Sequence, residues 1–146
     1  KHRVMNRLTA WIGDEPFFYG YSQIKRKAEP WNKSMLSLKR KVETVCKSSF
    51  NSCLLNYYPS GDDGMGWHAD NEKELGLNPI IASISLGADR KFSLKHNETK
   101  EKFDLVLNSG SLLLMSGEIQ HFWKHSLPKT KKVHAPRLNL TFRTIK

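Results

Sequence analysis

The closing segment Arg137-Leu138-Asn139-Leu140-Thr141-Phe142-Arg143 alternates polar and apolar positions without a break. Residues two apart on an extended strand share a face. Arg137, Asn139, Thr141 and Arg143 therefore line one side, and Leu138, Leu140 and Phe142 the other. The apolar side requires a core, and two guanidiniums with an amide require water or an anion. Such a strand suits the inner wall of a site for a small carboxylate. The period of two recurs from Phe50 onward and predicts strands over 52–58, 80–86, 91–95, 103–107, 111–115, 121–125 and 137–145. One earlier segment keeps a helical period. Asn32 caps it, Met35, Leu38, Val42 and Val45 form its apolar face, and it ends near Ser48. Residues 1–30 mix aromatics with turn formers and predict strands and loops. Many short strands with one flanking helix predict a mainly β fold, an antiparallel sandwich or jelly-roll barrel with the helix packed outside.

The chain has 146 residues, enough for one domain with a real core, and 38% of them are hydrophobic, as in a globular protein. No apolar run is long enough to span a bilayer, so no membrane partner is expected. The chain begins at Lys1 without a Met, which leaves a trimmed leader open. Cys46 and Cys53 are too few for a disulfide framework and predict two buried thiols in a reducing compartment. The net charge of +10 is uneven: +7 over residues 1–50, −4 over 51–123 and +7 over 124–146. Basic ends around an acidic middle suggest a cationic rim about a metal-binding centre, with nucleic acid as its partner. Ordinary solubility charge is the other account of such a balance.

His68 and Asp70 are two apart and face the same way on an extended segment, and His125 can supply a third ligand from a distant strand. Two imidazoles and a carboxylate leave metal positions open for a cosubstrate and dioxygen. Taken alone, the H-x-D pair fits a surface histidine beside a solvated aspartate better. His121 shares a strand face with His125 and is the rival ligand. Asn56 and Tyr58 share a face just before a turn-forming run at 59–64. An amide and a phenol there could hydrogen-bond a carboxylate that Arg137 and Arg143 neutralise, since an arginine fork matches a planar carboxylate.

Joined together, these motifs resemble a known family. Asn56-x-Tyr58, His68-x-Asp70, His125-Ser126-Leu127-Pro128 and Arg137-x-Asn139-x-Thr141-Phe142-Arg143 stand in the order and spacing of the AlkB family of Fe(II)- and 2-oxoglutarate-dependent nucleic-acid dealkylases. The resemblance covers about residues 5–146, and Ile80–Ala88 and Arg90-Lys91-Phe92 share the family style. It implies a double-stranded β-helix (jelly-roll) core over 51–146, a supporting helix over 31–50 and a nucleotide-recognition lid over about 1–30. It implies that His68, Asp70 and His125 bind Fe(II), that Arg137 pairs with the distal carboxylate of 2-oxoglutarate, and that Asn56, Tyr58, Asn139 and Arg143 help hold it. Glu72 would meet the exocyclic amine of a damaged base. Trp11, Tyr19 and Tyr21 would stack on that base, and Arg7 would meet phosphate.

The implied activity is oxidative demethylation of 1-methyladenine or 3-methylcytosine in DNA or RNA, using dioxygen and releasing formaldehyde and succinate. The target base must be single-stranded or flipped out. A monomer acting inside the cell, in a nucleus or a bacterial cytoplasm, is expected. Two further readings remain open on sequence: an oxygenase of the same class acting on other RNA, protein or lipid substrates, and a non-catalytic nucleic-acid binder.

Overall fold

In a computed structural model, which describes residues 7–19 and 26–146, Arg137–Arg143 is the central strand of a five-stranded antiparallel sheet. The elements in chain order are β1 (Leu8–Gly13), β2 (Phe18–Tyr19), β3 (Arg26–Lys27), α1 (Lys33–Cys46), β4 (Ser52–Tyr58), β5 (Met65–His68), a short 3-10 turn (Lys73–Leu75), β6 (Ile81–Gly87), β7 (Arg90–His96), β8 (Lys102–Leu107), β9 (Leu112–Met115), α2 (Ile119–Phe122), β10 (Trp123–Leu127) and β11 (Arg137–Arg143). The larger sheet runs β1-β4-β11-β6-β9, the facing sheet β5-β10-β7-β8, and β2 pairs with β3 alone. This is the expected jelly-roll sandwich.

The alternation of β11 sorts the two faces as the sequence requires. Leu138, Leu140 and Phe142 point outward with Cys53, Leu55, Ala82 and Ile84 from β4 and β6, and α1 covers them with Met35, Leu38, Val42 and Cys46. Phe142 is 0% exposed, stacked 6.3 Å from Trp31 and tilted against Phe50 at 6.1 Å. Asn32 caps α1 as predicted, its side-chain oxygen accepting from the Met35 amide at 2.8 Å. Val45 departs from prediction: it is 69% exposed, and Cys46 packs in its place. The helical repeat carries the apolar stripe from Val42 to i+4, not i+3.

Between the sheets, Ile81 and Met115 from the larger sheet meet Phe92 and Leu107 from the smaller, with Leu75 beside them. The inner face of the central strand β11 is polar. Arg137, Asn139, Thr141 and Arg143 stand opposite Tyr58, Asn56, Leu54 and Ser52 on one side, and Ser85 and Ser83 oppose Asn139 and Thr141 on the other. The site therefore occupies the part of the sandwich that the apolar cluster does not fill.

One further sequence expectation changes, and two spans gain detail. Residues 121–125 do not form one strand: 119–122 make a helical turn and the strand starts at Trp123. β5, too short and glycine-rich to predict, pairs with β10 and places His68 directly opposite His125. The span expected as a lid is divided. β1 is an edge strand of the larger sheet, paired to β4 along its whole length, while β2 and β3 form a separate ribbon.

Two measurements follow from this packing. Phe142→Ala should lower the unfolding free energy by about 3–5 kcal/mol in denaturant titrations, since it empties a site enclosed on all sides. Cys53 is 0% exposed, and burial pushes its thiol up to about 12. A thiol reagent should label the half-buried Cys46 first and reach Cys53 only on unfolding, read by mass spectrometry.

Candidate metal and anion site

The pairing of β5 with β10 brings together residues far apart in the chain. His68 and His125 lie with ring centroids 4.3 Å apart, and the ligand atoms of His68, Asp70 and His125 all fall within 4.8 Å of one another. The Nδ1 of His68 is 2.7 Å from the Gly66 carbonyl. That contact assigns the ring proton to Nδ1 and leaves the Nε2 lone pair facing Asp70 Oδ1 at 3.8 Å. His125 is 6% exposed and stacks on Phe92 at 5.3 Å. Burial, aided by His68 and Arg143, lowers it to about 4 against the pull of Asp70, so its imidazole is neutral at physiological pH.

Asp70 is held from two sides. Its carboxylate accepts a 2.9 Å hydrogen bond from Arg143 Nη2, and its amide donates to Gln120 Oε1 at 2.8 Å. Burial alone would raise the carboxyl, but Arg143, His125 and His68 outweigh it and keep Asp70 below the usual carboxylate value. Two histidines, one of them the neutral His125, and an ionised carboxylate gathered this closely fit Fe(II) with positions left for other ligands.

A second feature lies further along β11. Tyr58, 3% exposed, stands opposite Arg137, and the guanidiniums of Arg137, Arg90 and Arg7 lie 5.6, 5.8 and 5.9 Å from its ring centre. Their hydrogen bonds run to neutral groups. Arg137 donates to Ser85 Oγ at 2.9 Å, Arg7 to Met65 Sδ, and Arg90 to backbone carbonyls. The Nε atoms of Arg7, Arg90 and Arg137 are buried and have no hydrogen-bond partner among the described residues. A group of cations satisfied by neutral atoms, with donors left over, is chemically suited to a carboxylate.

The other expected residues fall variously. Asn56 is buried opposite Asn139 on the inner face. Asn139 has both sides of its amide engaged: Nδ2 donates to Ser83 Oγ (2.6 Å) and the Ile84 carbonyl (3.1 Å), and Oδ1 accepts from Thr141 (2.8 Å). It braces β11 against β6. Glu72 precedes the 3-10 turn, and its Oε2 is buried with no hydrogen-bond partner among the described residues. Trp11 is on the inner face by register but is 8% exposed, its ring 6.3 Å from Phe17. The backbone at Tyr19 is in β2, and Tyr21 lies outside the described residues. Arg7 is half-buried, with its guanidinium over the Tyr58 ring and its Nε buried. His121 is exposed in the helical turn and is excluded from the three-residue cluster, because the turn breaks the strand face it was expected to share.

Sequence reasoning missed Arg90 and Gln120. Arg90 left a signal: it shares its strand face with Phe92 and Leu94, and a lone cation on an apolar face asks for buried partners. Gln120 left none, because the helical turn that aims it at Asp70 was itself unseen.

The fold and these donors define a class. The chain belongs to the 2OG-Fe(II) oxygenase superfamily, whose family model matches residues 1–143. That superfamily works with Fe(II), 2-oxoglutarate and dioxygen, and the site residues fit that set. Within it the chain is of the AlkB family. It is 41% identical over 149 residues to the bovine alpha-ketoglutarate-dependent dioxygenase alkB homolog 3, covering 95% of this chain and 51% of that protein. It is 39% identical over 153 residues to the human DNA oxidative demethylase ALKBH2, covering 99% of this chain and 59% of that protein. The chain thus spans little more than half the length of these curated relatives. Among solved structures, that titled "The structure of OsALKBH1" superposes with a TM-score of 0.67 at 21% identity, covering 98% of this chain and 82% of that one. This last likeness concerns the fold.

Mn(II) titration followed by paramagnetic resonance tests the ligand set. Asp70→Ala and His125→Ala should each weaken binding by more than about a hundredfold, while His121→Ala should stay within about twofold of the unaltered protein.

Proposed function

We propose that this chain carries out oxidative demethylation of N-alkylated bases such as 1-methyladenine and 3-methylcytosine in DNA or RNA, releasing formaldehyde and succinate. The observation that carries the reading is the convergence of His68, Asp70 and His125 beside inward-facing arginines on one strand. His68 through Nε2, Asp70 through its carboxylate and His125 through its imidazole hold Fe(II). With 2-oxoglutarate and dioxygen, that iron supplies the oxidation of the N-methyl carbon. Arg137 pairs with the distal carboxylate of 2-oxoglutarate, and Tyr58 and Asn56 flank it. Arg143 keeps Asp70 ionised and oriented, so the carboxylate meets the metal with its charge intact. Asn139 acts on the cosubstrate by holding β11 in register.

The substrate end of the site is read from Glu72 and the N-terminal aromatics. The Oε2 of Glu72, buried with no hydrogen-bond partner among the described residues, is an acceptor that an exocyclic amine of a methylated base would match. The methylated base carries a positive charge, which suits an acid and the face of an aromatic ring. Trp11, with Tyr19 and Tyr21, supplies such rings. Methylation on the pairing edge weakens base pairing and lowers the cost of taking the base out of the stack. We place the protein, as a monomer, inside the cell with its nucleic acid, in a nucleus or a bacterial cytoplasm. Among the described residues, no helix is long and apolar enough to cross a membrane.

The decisive experiment incubates short oligonucleotides carrying 1-methyladenine or 3-methylcytosine with protein, Fe(II), 2-oxoglutarate, ascorbate and air. Mass spectrometry should show loss of one methylene unit and formation of succinate, both absent without 2-oxoglutarate. Succinate without demethylation would move the substrate elsewhere. A second measurement concerns charge: oligonucleotide affinity should fall steeply and log-linearly with salt. An affinity indifferent to salt would remove nucleic acid from the account.

A further inference from the structure

Arg90 is 2% exposed, and its hydrogen bonds run to three backbone carbonyls: Ser60 at 3.3 Å, Asp63 at 2.8 Å and Pro128 at 2.9 Å. These acceptors come from two separate connections. Residues 59–64 join β4, which carries Asn56 and Tyr58, to β5, which carries His68. Residues 128–136 join β10, which carries His125, to β11, which starts at Arg137. One guanidinium thus bonds both connections, each of which runs from one site-bearing strand to the next. The connections also bond each other, Gly61 N to the Val133 carbonyl and Thr130 N to the Gly61 carbonyl, both at 2.8 Å. They approach so closely that a Cβ on Gly61 would fall 2.2 Å from the Thr130 carbonyl oxygen.

An apolar side chain could fill this space without the cost of burying a cation. The cation has two effects that an apolar residue lacks. Its planar fork reaches carbonyls in several directions, which an ammonium on a flexible stem cannot reproduce. Its charge also adds to those of Arg137 and Arg7 around Tyr58, where the hydrogen-bond partners are neutral. An anion arriving there meets a potential that Arg137 alone would not produce.

We propose that Arg90 is a positioning residue for the cosubstrate. It clamps the 59–64 and 128–136 connections beneath Tyr58, so that Tyr58 and Arg137 are set to receive the distal carboxylate of 2-oxoglutarate. The inference rests on the function proposed above and adds a residue to it. Arg90 itself contacts backbone and the Tyr58 ring, and it acts through Tyr58 and Arg137.

The test is calorimetry on the full chain with Mn(II) in place of Fe(II). It compares 2-oxoglutarate with pyruvate, a 2-oxo acid that lacks the distal carboxylate. Arg90→Gln should weaken 2-oxoglutarate by about tenfold or more while leaving Mn(II) and pyruvate within about twofold. In turnover the KM for 2-oxoglutarate should rise by a similar factor, with kcat much less affected. Arg90→Lys, which keeps the charge but not the fork, should weaken 2-oxoglutarate by several-fold, and it supplies the same reading if Arg90→Gln fails to fold. Unchanged 2-oxoglutarate affinity in both variants overturns the proposal. Equal losses for pyruvate and 2-oxoglutarate also overturn it, since they would mean general loosening of the site. If the unaltered protein binds no 2-oxoglutarate, the proposed function fails, and this inference fails with it.

Discussion

The ion pair between Arg143 and Asp70, 2.9 Å long and largely buried, ties the last residue of β11 to the segment that follows β5. The tie crosses from the larger sheet to the stretch just beyond an edge strand of the smaller one. Breaking it would leave a carboxylate inside the protein without its counter-charge, which is far more costly than losing an exposed pair. The position of Asp70 relative to His68 and His125 therefore depends on β11 holding its register. That register is secured on the other face of the strand, where Leu140 and Phe142 are locked under α1. A helix on the opposite face of the sheet from the site thus helps to set its geometry.

The two halves of the site answer different physical demands. At the His68–Asp70–His125 end, burial and neighbouring charges leave one carboxylate ionised and His125 neutral, the protonation states a divalent metal requires. At the Tyr58 end, guanidiniums gather on neutral acceptors, so positive charge accumulates without a protein counter-charge in hydrogen-bond contact. An elongated dianion with a chelating end and a carboxylate end matches this polarity along the strand. The inner face is polar here because the apolar cluster around Ile81, Phe92 and Met115 closes only the adjacent part of the sandwich.

Much of the fold was legible because local periodicity is a local property. The alternation in 137–143 assigned every one of its side chains to the correct face, and the strand at 52–58 has the bounds the pattern indicated. The helix was visible from its cap and its stripe, with an error of one position at Val45 because a short amphipathic pattern does not distinguish i+3 from i+4. The strand start at 121 was misread because a single helical turn carries too few residues to show a period. β5 was hidden for a related reason: four residues with a glycine among them have no alternation to read.

By itself the sequence determined which side chains could work together on one strand and which chemistry they could support. Alternation fixes faces through bond geometry, and the residue types fix the available donors and charges. Only the tertiary structure decided which strands face each other. It set His68 opposite His125, excluded His121, placed Arg7 over the Tyr58 ring and gave Arg90 carbonyls from two connections distant in the chain. Those outcomes depend on how loops close and how two sheets stack. Both are set by the summed packing of many residues, which no short window of sequence contains.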